Sequence, residues 1–300
     1  MPKCRLCLEE RQLLESHIIP AFIIRWFKAT SATGYIRFTI NPNKREQDGP
    51  KGPFLCQDCE NRLGKWETAF AENFWPKVTD QHPVPWEYGA WLAPFAASLC
   101  WRALMFRLED DERVIEHLHE KHKPLVAAAL ERWRKYILGV ETNPGIHALH
   151  FLSLGPIAQL TGPKPPSNIN RYLSRSLDID VVGSELHSFV YCKPGPMCFI
   201  GFISPSKPGL WEGTEIAVGP GTIAGKSIVP APFGEYLFQK AEKSKVAQEK
   251  ISDRQHEVIR RALERNLDRV ANSDSFAALE ADVRMSGENA VFPKQRPEDP

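Results

Sequence analysis

Two short cysteine pairs constrain this chain more than any other feature. Residues 4–7 read C-R-L-C and residues 56–59 read C-Q-D-C, with 48 residues between the pairs. Each C-x-x-C turn presents two sulfurs to one ion, and four thiolates suit a tetrahedral zinc site. Cys4, Cys7, Cys56 and Cys59 are therefore the candidate ligands of one structural zinc. A fold that uses them must bring two distant segments together. The interval is long for a compact zinc ribbon and leaves room for a helix and a strand. Cys100, Cys192 and Cys198 stand alone and read as core residues.

Composition sets the setting. The 300 residues carry a net charge of only +1, with 42% hydrophobic and 25% charged residues. That is ordinary for a globular chain and announces no global field for a nucleic acid or membrane. Locally, residues 1–65 hold eleven Lys/Arg against seven Asp/Glu, which puts positive charge around the cysteine pairs. The N-terminus M-P-K-C-R-L-C lacks the apolar segment of a secretory signal, and the apolar runs are too short to span a bilayer. A cytoplasmic, reducing location is expected, where paired cysteines hold metal rather than disulfides.

Periodicity points to an α+β chain in four parts: residues 1–80, a cysteine module; 81–162, helical; 163–240, strand-rich; 241–300, a helix and a mobile tail beyond Met285. Ser16 reads as a helix cap with Pro20 in the first turn, followed by Phe22, Ile23, Trp26 and Phe27 at helical spacing. Residues 35–40 alternate like a strand, and 41–53 read as a polar loop. Residues 89–108 form a buried helix, and 111–138 one or two more, split near Pro124. His117, His119 and His122 read as part of a solvated helix face. G-P-K-P-P-S at 162–167 is a linker. Residues 178–182, 186–192 and 197–204 read as strands, and 252–269 as a helix capped by Ser252. The G-x-x-x-x-G-K-[ST] phosphate loop is excluded, because Pro220 stands where its first glycine must lie.

Between the cysteine pairs lies S-H-I-I-P at residues 16–20. In the order C-R-L-C, S-H-I-I-P, L-C-Q-D-C-E, the first quarter of the chain resembles the zinc-containing branch of the HNH endonucleases. The resemblance implies a zinc-stabilised, treble-clef-like ββα module that hydrolyses phosphodiester bonds of DNA, in bacterial restriction or defence against phage. It makes His17 the general base. Glu60 takes the place of the family's last metal-binding histidine, as ligand of a catalytic magnesium or manganese. Asn43 or Asn41 takes the place of the asparagine that orients the base, with Gln47 and Asp48 as alternatives in the same loop. Ser16 departs from the pattern, which has a metal-binding Asp or His there, so the cation would lean on Glu60 with Glu15 or Asp48. Arg37, Lys44, Arg45 and Lys51 would grip the nucleic-acid backbone. The C-terminal regions would supply substrate selection or a protein-partner surface. The competing expectation is a zinc scaffold without catalysis that binds nucleic acid or a partner protein.

Overall fold

The computed structural model describes residues 1–158, 163–207 and 209–291. The fold is mixed α+β. In chain order the elements are β1 (Leu14–His17), α1 (Ala21–Ala29), β2 (Ile36–Phe38), β3 (Asn41–Glu46), β4 (Lys51–Leu55), α2 (Gln57–Asn73), α3 (Trp75–Thr79) and β5 (Trp86–Tyr88). Then follow α4 (Leu92–Asp110), α5 (Leu125–Leu138), β6 (Leu149–Ser153), α6 (Ile169–Arg175), β7 (Leu177–Gly183), β8 (Ser188–Pro194), β9 (Met197–Phe202) and β10 (Gly221–Ile223). Helices α7 (Ala231–Glu249), α8 (Asp253–Glu264), α9 (Leu267–Ala271) and α10 (Asp274–Ser286) complete the chain. No helix among the described residues is long and apolar enough to cross a membrane.

The chain folds as two compact units that are not consecutive in sequence. The first comprises Met1–Phe22, Gly49–Ser153 and Leu177–Pro230. Its centre is an antiparallel sheet in the order β6-β9-β8-β7. Every residue of β8 and β9 is buried; β9 is a continuous apolar run, while β8 buries Ser188 and Lys193 among apolar residues. Helix α4 packs along the sheet and against α2 and α5. It is apolar nearly all round, so it suits the interior, and Pro94 sits in its first turn, where no amide partner is lost. Gly201 allows the close approach: a Cβ there would lie 2.8 Å from Trp133 and 2.9 Å from Cys100 Cβ. Phe70 of α2 anchors the core, stacked on Phe95 at 4.1 Å and edge-on to Phe199 at 5.7 Å.

The second unit comprises Ile23–Asp48, Leu154–Ser176 and Ala231–Pro300. It holds α1 from Ile23 onward, the β2–β3 ribbon, α6 and the C-terminal helices. Asp282 of α10 is buried and accepts from the Asn170 and Arg171 amides at 2.6 and 3.2 Å and from Arg171 Nε at 2.8 Å. A carboxylate at the start of α6 meets unpaired N–H groups and the positive end of the helix. Arg175 lies over Trp26 and Phe27 and donates to Thr30 Oγ1 and the Phe27 carbonyl.

Several sequence expectations need correction. Residues 41–53 are not simply a loop, because they contain β3 and β4. Propensity hides both, since prolines and charges are poor strand formers, and pairing with β2 and β1 overrides it. Ser16 does not cap a helix; it lies in β1, and α1 begins after Pro20. Strands β5, β6 and β10 were not anticipated. The three strands expected within 178–204 and the helices at 89–108 and 252–269 are present, the last as α8 and the short α9. Gly162, where the linker begins, and the tail from residue 292 lie outside the described residues.

The 117–122 histidines are not on a helix. They lie in turns before α5; His117 and His119 are exposed, and His122 is buried. His117 Nε2 meets the Val181 carbonyl at 2.7 Å, and His122 Nδ1 meets Ser188 Oγ at 2.7 Å. His147, His150 and His187 are buried in the same unit. Thr214 donates its hydroxyl to the Trp211 carbonyl, so it accepts from His150 Nδ1, 2.7 Å away. His150 Nε2 then carries no proton and has no hydrogen-bond partner among the described residues. Protonation would leave a buried N–H without an acceptor.

Burial accordingly holds His150 down to about 4 and lowers His122, His147 and His187 as well. Unfolded histidines titrate near the ordinary value, about 6.5. Between those values the unfolded chain binds more protons than the folded one, so stability rises with pH across this window and is lost as pH falls through it. His150 alone accounts for roughly 3 kcal/mol over that range. Urea unfolding at pH 7 and near pH 4 should show this loss, and His150→Gln should reduce it. An equal loss in both proteins would refute this account.

Candidate metal centre and the face beside it

The two cysteine turns meet in the first unit. Cys4 opens a tight turn in which the Leu8 amide donates to the Cys4 carbonyl at 2.9 Å, and Leu8 adopts a left-handed φ of 65°. Lys3 and Glu10 bridge across its base. Cys56 caps α2 and Cys59 lies in its first turn, so the helix start fixes the second pair. All four sulfurs lie within 4.8 Å of one another. Cys7 Sγ and Cys56 Sγ are 3.9 Å apart. A tetrahedron with metal–sulfur bonds near 2.3 Å has edges of about 3.8 Å, so the arrangement fits one ion with little adjustment. The four cysteines are placed to bind a metal ion.

The surrounding groups favour the thiolate of Cys4 and oppose those of Cys7 and Cys59. The Cys56 amide points at Cys4 Sγ from 3.3 Å. Burial pushes the Cys4 thiol up, but the amides of Cys7, Cys56 and Leu6 outweigh it and bring the thiol to about 7. Burial raises Cys59 and Cys7, and the neighbouring sulfurs add to the effect. Four sulfurs this close repel one another as anions, and a dication relieves that repulsion. Cys7 is half-buried and the other three are buried. A cavity of about 140 Å³ opens over Cys7, Cys56 and Cys59, rimmed by Arg11, Asp58 and Arg62. Four sulfur donors would fill the coordination of a tetrahedral ion, an arrangement compatible with structural zinc.

The chain between the pairs leaves the first cysteine turn as β1 and returns as β4, which runs directly into Cys56. The two strands pair antiparallel, with Glu15 opposite Pro53 and His17 opposite Lys51. Side chains alternate across a strand. Beyond a bulge at Leu14/Glu15, Ser16, Gly52 and Phe54 turn inward and are buried, while Glu15, Lys51 and Pro53 are exposed on the outer face that half-buried His17 shares. Ser16 is 1% exposed. Its hydroxyl donates to the Leu14 carbonyl at 3.3 Å and accepts the Leu55 amide at 3.2 Å, tying the hairpin together. The end of β1 is held by Arg102 of α4, which is 3% exposed. Its Nη1 donates to the His17 carbonyl at 2.9 Å and its Nη2 to Glu67 at 2.7 Å. Glu60, in the first turn of α2, is half-buried, and its Oε1 has no hydrogen-bond partner among the described residues.

The other expected site residues lie in the second unit. Asn43 donates to the Lys250 carbonyl at 3.0 Å and accepts the Ser252 amide at 2.8 Å, so both its polar atoms are engaged. Arg37 donates to the Pro42 carbonyl and to Gln255 Oε1. Lys44 pairs with Glu46 at 2.7 Å, and Arg45 lies over the Tyr35 ring. Sequence reasoning missed Arg102 and Glu67. The available signal was an arginine in the middle of an apolar helix, which has to bring a partner with it.

Comparison of the chain with family models, with curated proteins and with solved structures finds no match.

The purified protein is expected to hold about one tightly bound transition-metal ion per chain, measured by elemental analysis. Cys59→Ser should release it and lower the thermal midpoint, and a strong chelator should do the same to the wild type. A chain with all four thiols reduced and no ion would contradict this assignment.

Proposed function

We propose that this protein is a metal-dependent nuclease acting on DNA, with an HNH-like, treble-clef-type module of β1, β4 and α2 built around a structural zinc. The observation that carries the reading is the pairing of His17 with Lys51 on one outward face of a hairpin that runs straight into a cysteine cluster. Directly opposed residues of an antiparallel pair have Cβ atoms roughly 5 Å apart. An imidazole and an ammonium at that spacing match a water molecule and a phosphate.

In this reading His17 accepts the proton of a water that attacks phosphorus in line, and Lys51 holds a phosphate oxygen. Glu60 and Glu15 are the carboxylates available to a magnesium or manganese ion, which when bound supplies charge stabilisation at the phosphate and the leaving oxygen. Arg102 keeps the end of β1 in register, so the imidazole stays at a fixed height above the hairpin. In the second unit, Arg37, Lys44 and Arg45 are cations available to a nucleic-acid backbone in their own right. Zinc analysis, DNA binding and cutting are each separately measurable consequences.

A second reading has an observation in its favour. Ser16 is buried and bonded within the hairpin, and both polar atoms of Asn43 are engaged with backbone. Two positions of the family pattern are thereby unavailable for catalysis. On that reading the module is a zinc scaffold that binds nucleic acid or a partner protein without cutting it.

Incubation with supercoiled plasmid and magnesium or manganese separates the two. The nuclease reading expects cutting, and His17→Ala should lower it by at least about a hundredfold, the usual worth of a general base. Zinc content and melting midpoint should stay unchanged in that variant. Lys51→Ala should weaken binding and flatten its salt dependence. Equal cutting by the wild type and His17→Ala would sink the catalytic assignment. Salt-dependent binding with no cutting would favour the scaffold.

A further inference from the structure

The β2–β3 ribbon of the second unit carries an exposed apolar tip. Phe38 pairs with Asn41, so Thr39 and Ile40 form a two-residue turn. Neither has a positive φ, so the turn asks nothing special of the backbone. Ile40 is 92% exposed, more than any other large apolar side chain among the described residues, and adds nothing to the core.

The ribbon is also braced. Asn43 is clamped between the Lys250 carbonyl and the Ser252 amide, and Arg37 bonds Pro42 and Gln255 Oε1. The guanidiniums of Arg37 and Arg45 lie 5.3 and 5.5 Å from the centre of the Tyr35 ring. An exposed tip on a braced stem is pre-organised to push rather than to yield. Its surroundings are basic: residues 23–48 carry Arg25, Lys28, Arg37, Lys44 and Arg45 against Glu46 and Asp48. Lys44 meets Glu46 in a solvent-exposed pair, which holds weakly and exchanges readily for a phosphate.

We infer that this ribbon enters a groove of duplex DNA and that Ile40 wedges between base pairs, with Lys44 and Arg45 on the flanking phosphates. The choice of occupant follows from charge and area. A protein partner or a second copy needs a contiguous apolar patch. Ile40 has none, because Thr39, Asn41, Asn43, Lys44 and Arg45 surround it with exposed polar and cationic groups. A wedge needs one apolar side chain, and a two-stranded ribbon fits a DNA groove. The inference rests on the proposal that the protein acts on DNA and adds how it grips and deforms the duplex.

The test uses the full chain and a short duplex carrying 2-aminopurine, whose fluorescence rises when it unstacks, in buffer without added divalent metal so that nothing is cut. Wild type should bind and raise the fluorescence. Ile40→Ala should still bind, with an unchanged melting midpoint, and lose the rise. Lys44→Gln should weaken binding to all sequences and lower the salt slope by about one. Binding with no fluorescence change, or an equal rise with Ile40→Ala, overturns the wedge. So does a change in oligomeric state caused by Ile40→Ala with no effect on DNA, which would make the tip a contact between copies. Plasmid cutting that depends on His17 together with any of these results would leave the nuclease proposal standing and remove this one.

Discussion

Four sulfur atoms hold the first unit's working face together. Strands β1 and β4 have four and five residues, and a two-stranded hairpin of that size is not stable alone in water. The turn at residues 4–8 buries Cys4 and Leu6 and is tied to β4 by the Arg5 amide, which donates to the Phe54 carbonyl at 2.9 Å. Both become definite because Cys4 and Cys7 at one end and Cys56 and Cys59 at the other converge on one point. Closing a loop of this length costs entropy that grows only slowly with length. A structural metal repays that several times over, with apparent binding energies of about 10 kcal/mol or more. Insertion into the loop is therefore tolerated, and this loop carries most of α1 and a ribbon that belong to the second unit. The β1–β4 pairing itself, beyond a bulge at Leu14/Glu15, sets His17 against Lys51.

Arg102 supplies a second constraint on the same hairpin. Its guanidinium is buried, and a buried charge is tolerable only when paired and fully bonded. It reaches three elements at once: the Ser98 carbonyl of its own helix, Glu67 of α2 and the His17 carbonyl of β1. A lysine would present a single ammonium where the geometry uses a fork. The cysteine cluster lies at one end of the hairpin and the guanidinium holds the other. Only four residues lie between them, so the outer face has little freedom to tilt.

Legibility in the sequence followed the strength of the local signal. The four cysteines could be read because two C-x-x-C turns carry their own geometry, and α4 because twenty residues of apolar sequence exclude most alternatives. Strands β7, β8 and β9 were visible from β-branched and aromatic runs ended by the K-P-G-P turn. Strands β3 and β4 were not, because N-P-N-K-R-E and K-G-P-F-L resemble loops and become strands only by pairing. Ser16 misled for a related reason. A serine before a proline and an apolar run suits a helix start, and the same hydroxyl equally suits a buried hairpin tie. Of the 117–122 histidines, His122 misled, because a polar run reads as solvated and only the fold shows it buried against Ser188 of β8.

The alternation of β1 decides what chemistry its outer face can support. Ser16 and His17 are neighbours, so on a regular strand they point to opposite sides, and the inward hydroxyl is already committed at both its donor and its acceptor. A cation near His17 must therefore find ligands elsewhere. Glu15 lies two residues back on the same face, and Glu60 projects from α2 with one oxygen unpartnered. A carboxylate from either is a better hard-metal ligand than the hydroxyl it would replace. On the nuclease reading proposed above, the departure at residue 16 would move the acidic ligand to another side chain and leave the proposed role of the imidazole possible. What the strand cannot do is present residues 16 and 17 together, and any site in which both touch one ion is incompatible with this hairpin.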